Sequence, residues 1–391
     1  MKSKLLFMNN KKNQRKVLSK FTIFIISAFL IFIVSALITY KIIEKMHNNT
    51  DLVNNSSVAY NNKPVNAAYK KTQSKTITEI IISSVGDCTL GYDSKFGYTG
   101  SFPYFFEKSG KDYSYFFKNT KSIFKADDIT TANLETTFTD STQRADKLFN
   151  FKAPASYAKI LNEGCIEAVN ISNNHIYDYG QTGFEDTKKA LKANNIAYFG
   201  EGSTYVKEIK GIKLCFLGYR GFTYDNNFLK KVQSDIKNFK MQDCTVIVNF
   251  HWGSENAYYP DSVQKYLAHY AVDCGADLIL GHHPHVIEGA EQYKNRFIFY
   301  SLGNFCFGGN FNPSDKDTFI VQSKLKYTDK ILTSVGVRVI PCSISSVSNY
   351  NDYCPTVIEG NFKDALLAKL NKLSLTSDLK LSDKFIELQI Q

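Results

Sequence analysis

Short apolar runs alternate with amphipathic segments over most of the chain beyond residue 76. Runs of consecutive apolar residues predict buried strands, and apolar positions recurring every three to four residues predict helices. The predicted strands are residues 77–85, 129–134, 166–172, 212–218, 244–250, 277–280 and 296–301. The predicted helices are residues 156–163, 183–193 and 261–273, the last with Asp261 as N-cap and Gly275 at its end. This alternation predicts an α/β domain with a parallel or mixed sheet.

Five of the seven histidines follow these apolar runs, in polar segments beside glycine or asparagine. The segments are Asn173-Asn174-His175, His251-Trp252-Gly253 and Gly281-His282-His283-Pro284-His285. Loops at the carboxyl ends of strands are where α/β folds gather their chemistry. Together with Gly86-Asp87 and Asn133-Leu134-Glu135, these segments predict a metal site assembled from distant loops.

Each of these residues also has a purely structural interpretation. His251 can be a hydrogen-bonded histidine at the edge of the core, and Asn173 and Asn174 can be turn residues. Glu255 and Asp178 can be surface charges. Trp252, the one tryptophan, either stacks on a substrate or walls a pocket. The coincidence of so many of them favours a shared site, with His47 and His269 incidental.

The N-terminus predicts the compartment. Residues 21–40 form an uncharged, mostly apolar run of 20 residues, about 30 Å long as a helix, which matches a bilayer. Seven basic residues and no acidic one precede it, so the positive-inside bias predicts a cytoplasmic N-terminus and an extracellular main domain. A cleaved signal peptide is the alternative. The length of the run and the lack of an A-x-A-like site after Tyr40 favour a single-pass anchor in the cell membrane.

Most of the positive charge belongs to this topology signal. The net charge is +10, and residues 1–20 carry +7 of it, which leaves +3 for the rest. No stripe of lysine and arginine with interleaved aromatic residues follows, so nucleic-acid binding is not expected. Eight scattered cysteines without a C-x-x-C pair favour buried free thiols, although Cys342 and Cys354 are candidates for a disulfide outside the cell.

The domain prediction has five parts. Residues 1–20 form a cytoplasmic basic segment, residues 21–40 the transmembrane anchor, and residues 41–76 a polar extracellular linker rich in asparagine. Residues 77–345 form the main domain, and residues 346–391 a partly helical C-terminal extension.

The composition of the predicted site suits one or two divalent ions. Aspartate, glutamate, asparagine and imidazole without thiolate favour Mn²⁺, Zn²⁺ or Fe²⁺. Two ions need a bridging carboxylate with further ligands on each side. Such a site polarises a phosphoryl or carbonyl oxygen, and a spare histidine can protonate the leaving group.

Six motifs in a fixed order resemble the CapA-type bacterial capsule-synthesis family (poly-γ-glutamate biosynthesis), which is related to the calcineurin-like metallophosphoesterases. They are GD (86–87), NLE (133–135), NNHxxDYG (173–180), HWGxE (251–255), GHHPHV (281–286) and SLGNF (301–305). The resemblance covers about residues 78–310 and implies a four-layer α/β/β/α metallophosphoesterase-like sandwich.

The same resemblance implies roles for individual residues. Asp87 and His285 would ligate a first metal, Glu135 would bridge, and Asn174, His251 and His283 would hold a second. His175 would be the general acid, oriented by Asp178. The implied substrate-binding residues are His282, Asn133, Trp252, Glu255 and Asn304. In GHHPH, His283 and His285 are favoured as ligands because they keep the H-x-H spacing, which leaves His282 either to support a ligand from behind or to bind substrate.

One position departs from the phosphoesterase pattern, in which Asp-x-His opens the first motif. Thr89 stands two residues after Asp87, where that histidine is usual. The departure implies a weaker first site, with one metal or low phosphatase activity as its consequence. Two functions therefore stay open. One is an extracytoplasmic metal-dependent hydrolase acting on a phosphorylated substrate or the capsule polymer. The other is a non-catalytic anchor that binds anionic polyglutamate beside membrane-embedded synthesis partners.

Overall fold

The computed structural model describes residues 75–390. The predicted transmembrane anchor at residues 21–40, the basic segment before it and nearly all of the predicted linker lie outside this range. Within residues 75–390, no helix is both long enough and apolar enough to span a bilayer.

The strands, in chain order, are β1 Ile77–Thr89, β2 Ile129–Leu134, β3 Thr137–Phe138, β4 Lys152–Ala153, β5 Ala168–Asn170, β6 Ala197–Phe199, β7 Tyr205–Ile209, β8 Ile212–Arg220, β9 Thr245–His251, β10 Leu278–His282, β11 Ala290–Tyr293, β12 Arg296–Phe299, β13 Asn304–Phe307, β14 Asp317–Thr328, β15 Ile331–Ser343, β16 Thr356–Val357 and β17 Ile386–Gln389. The α-helices are α1 Phe102–Lys108, α2 Lys121–Phe124, α3 Ala158–Glu163, α4 Gly180–Ala193, α5 Asn226–Lys240, α6 Ser262–Cys274 and α7 Gly360–Leu373.

Helix α6 shows how local sequence sets an element's ends. The Asp261 carboxylate accepts a hydrogen bond from the Gln264 backbone N–H, and the Gln264 side chain accepts one from the Asp261 N–H. At the other end, Gly275 adopts a left-handed φ of +114°, which suits glycine. The predicted cap and stop of this helix are confirmed.

Two sheets carry the fold. The larger has the order β16-β15-β14-β1-β2-β5-β6, with β13 also pairing with β1 and β17 with β15. The smaller has the order β11-β12-β10-β9-β8-β7. Strands β1, β2, β5 and β6 run parallel, as do β8, β9, β10 and β12, and antiparallel strands flank both groups. The carboxyl ends of each parallel group therefore lie at one edge of its sheet.

Three buried clusters define the layers. The first lies between the sheets and joins Ile80 and Ile82 of β1 to Leu214 and Phe216 of β8. The second packs helices α1 to α4 on the outer face of the larger sheet, and the third packs α5 and α6 on the outer face of the smaller. The prediction of a mixed α/β fold is confirmed.

The C-terminal segment adds to these same layers. Strands β16 and β17 both pair with β15, and α7 packs Leu366 and Leu370 into the cluster between the sheets. All eight cysteines are free, and Cys342 and Cys354 are both fully buried. The structure therefore has free thiols at these two positions and no disulfide between them.

Two glycines permit close backbone contacts at strand ends. A Cβ on Gly86 would lie 1.9 Å from the Gly303 carbonyl oxygen, and the next residue, Asp87, donates its N–H to that oxygen at 2.9 Å. A Cβ on Gly281 would lie 1.9 Å from the Tyr300 carbonyl oxygen. Both glycines precede residues of the predicted site, so close packing fixes the backbone from which those residues project.

We predict that Gly281→Ala lowers the free energy of unfolding by about 3 kcal/mol, because the added methyl group meets a backbone carbonyl that cannot move aside. The matched control is Gly110→Ala, which has open space around it and a φ of +74°, and should cost about 1 kcal/mol. Thermal unfolding followed by circular dichroism measures both. Equal losses in the two variants would contradict the packing argument.

Candidate metal centre

Carboxyl ends of strands from both sheets bring the predicted site residues together. Asp87 lies near the end of β1, Glu135 directly follows β2, and His175 lies in the loop after β5. His251 ends β9, and His283 and His285 follow β10. The side chains come from segments up to 198 residues apart, as Asp87 and His285 are (285 − 87). The structure thus brings the predicted loops together at one place.

Glu135 lies at the centre of this group and is fully buried. Its Oε1 atom is 3.4 Å from His251 Nε2, 3.8 Å from His175 Nε2 and 3.9 Å from His285 Nε2. Neither carboxylate oxygen has a hydrogen-bond partner among the described residues. A buried carboxylate surrounded by imidazoles and lacking hydrogen bonds fits a cation ligand.

Two sets of potential ligand atoms share Glu135. One set is Asp87, Glu135 and His251, and the other is Glu135, His283 and His285, with the atoms of each set within 4.8 Å of one another. Asn174 also reaches the group, since its Oδ1 atom is 2.7 Å from His251 Nε2. The donor set fits a divalent ion, and the shared carboxylate fits a pair of ions. How the ligands divide between two ions stays a prediction.

Asp87 is held by several partners at once. Its Oδ1 atom accepts from Asn133 Nδ2 at 2.8 Å, and its Oδ2 atom accepts from the His283 backbone N–H at 3.2 Å. The His285 ring contacts it at 3.2 Å. Burial opposes ionisation of Asp87, but the hydrogen bond and charge of His285 outweigh burial and hold its pKa well below the usual range. Asp87 is therefore a carboxylate at neutral pH.

Burial keeps the His251 and His283 rings neutral, whereas neighbouring carboxylates outweigh burial at His285. It lowers the pKa of His251 to about 3 and that of His283 to about 2, so both rings are neutral at pH 7 and can offer a lone pair to a metal. Burial also lowers the pKa of His285, but Glu135 and Asp87 outweigh it and the pKa rises to about 9. Burial raises the pKa of Glu135 to about 8.

The histidine loop is strained. His283 has a φ of +99° and His285 a φ of +59°, conformations that residues with a side chain rarely adopt. Such strain costs on the order of 1–3 kcal/mol per residue and persists where the surroundings enforce it. Here it aims two imidazoles at Glu135 from positions two residues apart.

His175 lies beside this group and is oriented from behind. Its Nδ1 atom is 2.7 Å from Asp178 Oδ2, and Phe151 packs on the ring with centroids 4.3 Å apart. Lys147 Nζ contacts Asp178 at 2.5 Å and donates to the Asn174 carbonyl at 2.8 Å. The ring's other nitrogen, Nε2, therefore faces Glu135. The predicted partnership of His175 with Asp178 is present.

A cleft of about 350 Å³ opens beside the group. His175 and His285 lie along it, with Glu255, Asn304 and Phe307 among its other walls. Asn304 also fixes His285, because its Oδ1 atom is 3.0 Å from the His285 ring and its Nδ2 donates to the His285 carbonyl at 3.0 Å. Glu255 and Asn304 are thus placed where a substrate can reach them.

Three residues predicted to bind substrate lie in the interior instead. Trp252 is fully buried, stacks on Phe250 and donates its indole N–H to the Tyr300 carbonyl at 2.8 Å. His251 ends β9 and Trp252 follows it directly; because side chains alternate between the two faces of a strand, His251 faces the site and Trp252 the outer core. The prediction that Trp252 stacks on substrate is wrong.

The substrate-binding role of Asn133 is wrong for the same reason, and His282 takes the supporting position that was the alternative to binding substrate. Asn133 is fully buried, and its amide contacts Asp87 and, at 3.2 Å, His251 Nδ1. His282 is 1% exposed, with Nε2 3.0 Å from Asn249 Oδ1 and Nδ1 3.8 Å from Asp87. Both residues support the ligands from behind and cannot touch a substrate in the cleft.

The sequence interpretation missed several supporting residues. Lys147 contacts the His175 ring and donates to the Asn174 carbonyl. Asn170 donates to Asn133 Oδ1 at 2.9 Å, and Asn249 contacts His282. Asn170 and Asn249 each have apolar residues on both sides within a predicted strand, which is a usable signal. Lys147 lies in an irregular polar segment, where no pattern marks it.

Residues 81–309, more than half of the chain, match the family described as "Bacterial capsule synthesis protein PGA_cap". The chain belongs to this family, and the predicted CapA-type resemblance is confirmed.

Two relatives are similar over much of the chain. "Capsule biosynthesis protein CapA" of Bacillus anthracis is 32% identical over 239 residues, which is 54% of this chain but only 58% of the relative. "PGA biosynthesis protein CapA" of Bacillus subtilis (strain 168) is 29% identical over 337 residues, 79% of this chain and 86% of the relative. Among solved structures, the purple acid phosphatase PPD1 of yellow lupin (Lupinus luteus) is 12% identical, with a TM-score of 0.32. The matched region covers 75% of this chain and 55% of the phosphatase. A likeness that low carries no argument about activity.

We predict that His251→Ala and His283→Ala each abolish retention of a divalent metal, because each removes an imidazole from the group around Glu135. The control is His269→Ala. His269 lies on α6 and contacts Glu291 at 3.0 Å, outside the group, so this variant should keep the wild-type metal content. Elemental analysis of the purified proteins measures all three. The same metal content in all three variants would defeat the assignment.

Proposed function

We propose that this protein is a membrane-anchored, metal-dependent hydrolase of phosphoesterase type that acts outside the cell in synthesis or export of a poly-γ-glutamate capsule. The observation that carries the proposal is the buried Glu135 carboxylate, shared by two ligand sets and facing the oriented His175 ring. Family membership and the names of the Bacillus relatives support the capsule role.

Asp87, Glu135, Asn174, His251, His283 and His285 would hold one or two ions of Mn²⁺, Zn²⁺ or Fe²⁺. A bound ion of this kind supplies a Lewis acid, which polarises a phosphoryl or carbonyl oxygen and lowers the pKa of water. The layered arrangement of two sheets between helices supports a four-layer metallophosphoesterase-like sandwich as the finer description of the fold.

His175 has the geometry of a proton donor to a leaving group. Asp178 accepts from Nδ1–H and so fixes the ring, which leaves Nε2 to carry a proton towards the cleft when the ring is protonated. The Phe151 ring packs against the His175 ring and supports this orientation. The proton would go from Nε2 to the leaving oxygen as its bond to the reacting centre breaks.

A second candidate function is a non-catalytic anchor that binds the anionic polymer for its synthesis partners in the membrane. The observation that favours it is Thr89, whose hydroxyl donates to the Glu135 carbonyl at 3.0 Å. A hydroxyl committed to the backbone replaces the imidazole that phosphoesterases usually have at this position. A weaker metal site would hold a polymer without turning it over.

We predict that His175→Ala lowers metal-dependent hydrolysis of phenyl phosphate by about 10²–10⁴-fold, because general acid catalysis is lost. The loss should be smaller for p-nitrophenyl phosphate, whose leaving group needs less protonation. The full-length protein is assayed with Mn²⁺, and metal content is measured in parallel to show that the site is intact. Polymer binding without any turnover by the wild type would favour the anchor instead.

For the topology, we predict that protease added to intact cells cleaves the region beyond residue 41, and that residues 1–20 stay protected. The apolar run at residues 21–40 and the basic charge in front of it support this proposed topology. Immunoblots against tags at both ends of the chain measure this. Release of an intact main domain into the medium would instead support a cleaved signal peptide.

A further inference from the structure

Arg220 lies next to the candidate metal centre and belongs to none of the six motifs. It is the last residue of β8, and the parallel pairing with β9 places it opposite His251. The following residue, Gly221, donates its N–H to the His251 carbonyl at 2.9 Å. The sheet register therefore places the Arg220 backbone opposite that of a predicted metal ligand.

Arg220 lines a second cleft of about 580 Å³. Asn174, a predicted ligand, lies at this cleft, and Phe222 and Tyr224 form walls. The Phe222 ring meets His283 edge-on, with centroids 4.7 Å apart. The cleft therefore approaches the centre on the side of Asn174 and His283, whereas the first cleft approaches it along His175 and His285.

The two clefts differ in charge. Among the described residues that line the first cleft there is no lysine or arginine, and two carboxylates are present, Glu255 and Asp315. Lys369 pairs with Asp315 at 2.7 Å. The second cleft has Arg220 and one carboxylate, Asp225, whose Oδ1 atom already accepts from the Phe228 N–H at 2.7 Å to cap α5. The second cleft therefore offers a guanidinium donor, which the first cleft lacks.

The guanidinium group is oriented and still accessible. Its Nε and Nη2 atoms contact the two Glu201 oxygens at 2.9 and 3.0 Å, and Ser172 Oγ donates to Glu201 at 2.9 Å. Arginine has five N–H donors, so two contacts leave others for a second anion. The Arg220 side chain is 44% exposed. Orientation by Glu201 reduces the entropy lost when a further anion binds.

We propose that Arg220 is a specificity-determining residue that binds a carboxylate or phosphate of the substrate other than the group at the metal centre. The substrate would then lie across the centre, with an anionic group in the second cleft and its leaving group in the first. This inference rests on the proposed function, because it assumes a substrate that carries more than one anionic group.

The test measures binding of fluorescein-labelled hexa-γ-glutamate to the full-length protein by fluorescence anisotropy, with EDTA present so that no metal contributes. Arg220→Gln should weaken binding by roughly 10-fold, the effect of losing a hydrogen bond to a charged group. Glu201→Gln is the matched control, because it breaks the same ion pair but keeps the guanidinium. It should bind as tightly as the wild type or more tightly. An oligomer with amidated carboxylates should bind all three proteins equally weakly.

The outcomes separate binding from a structural role. Equal weakening by both substitutions would mean that the ion pair merely stabilises the loop, and would overturn the proposal. So would wild-type affinity in Arg220→Gln, or no binding of the oligomer by the wild type. Displacement at lower concentration by inorganic phosphate than by glutarate would support a phosphate group, and the reverse a carboxylate. Absence of hydrolysis by the wild type would contradict the proposed hydrolase without changing this result.

Discussion

A buried carboxylate without hydrogen bonds is the constraint on which the site depends. An ionised carboxylate removed from water costs several kcal/mol unless an opposite charge compensates it. Three imidazoles lie 3.4 to 3.9 Å from Glu135. Burial keeps the His251 ring neutral, whereas the His285 ring, whose pKa is raised, supplies part of the opposite charge. Without a cation, the raised pKa of Glu135 offsets part of this cost by protonation. A divalent cation would compensate the charge, which couples stability of the site to metal binding.

Close backbone contacts at the strand ends hold the candidate site residues in place. Gly86 and Gly281 let neighbouring segments approach to distances that a Cβ would prevent. The parallel strands then deliver Asp87 and His251 from different sheets to one edge. The strained backbone of His283 is held there by contacts on both sides, because its N–H donates to Asp87 and its ring packs against Phe222.

Much of the fold and the centre was predictable from local patterns. Strand β2 has the predicted bounds, and α6 has the predicted cap and stop, because both depend on neighbouring residues. The long hairpin of β14 and β15 was missed, because lysines and serines interrupt its apolar positions. Helix α5 was missed as well, although Asp225 caps it.

The sequence by itself determined which ions the candidate residues could bind, since residue type sets ligand preference, and ordered motifs identify the family. It also predicted the strand ends on which the ligands lie. Only the tertiary structure decided which polar residues face the cleft. Trp252 and His251 are adjacent in sequence, but strand alternation sends one to the outer core and the other to the site. Arg220 lies opposite His251 through pairing of β8 with β9, a contact between segments that no local pattern encodes.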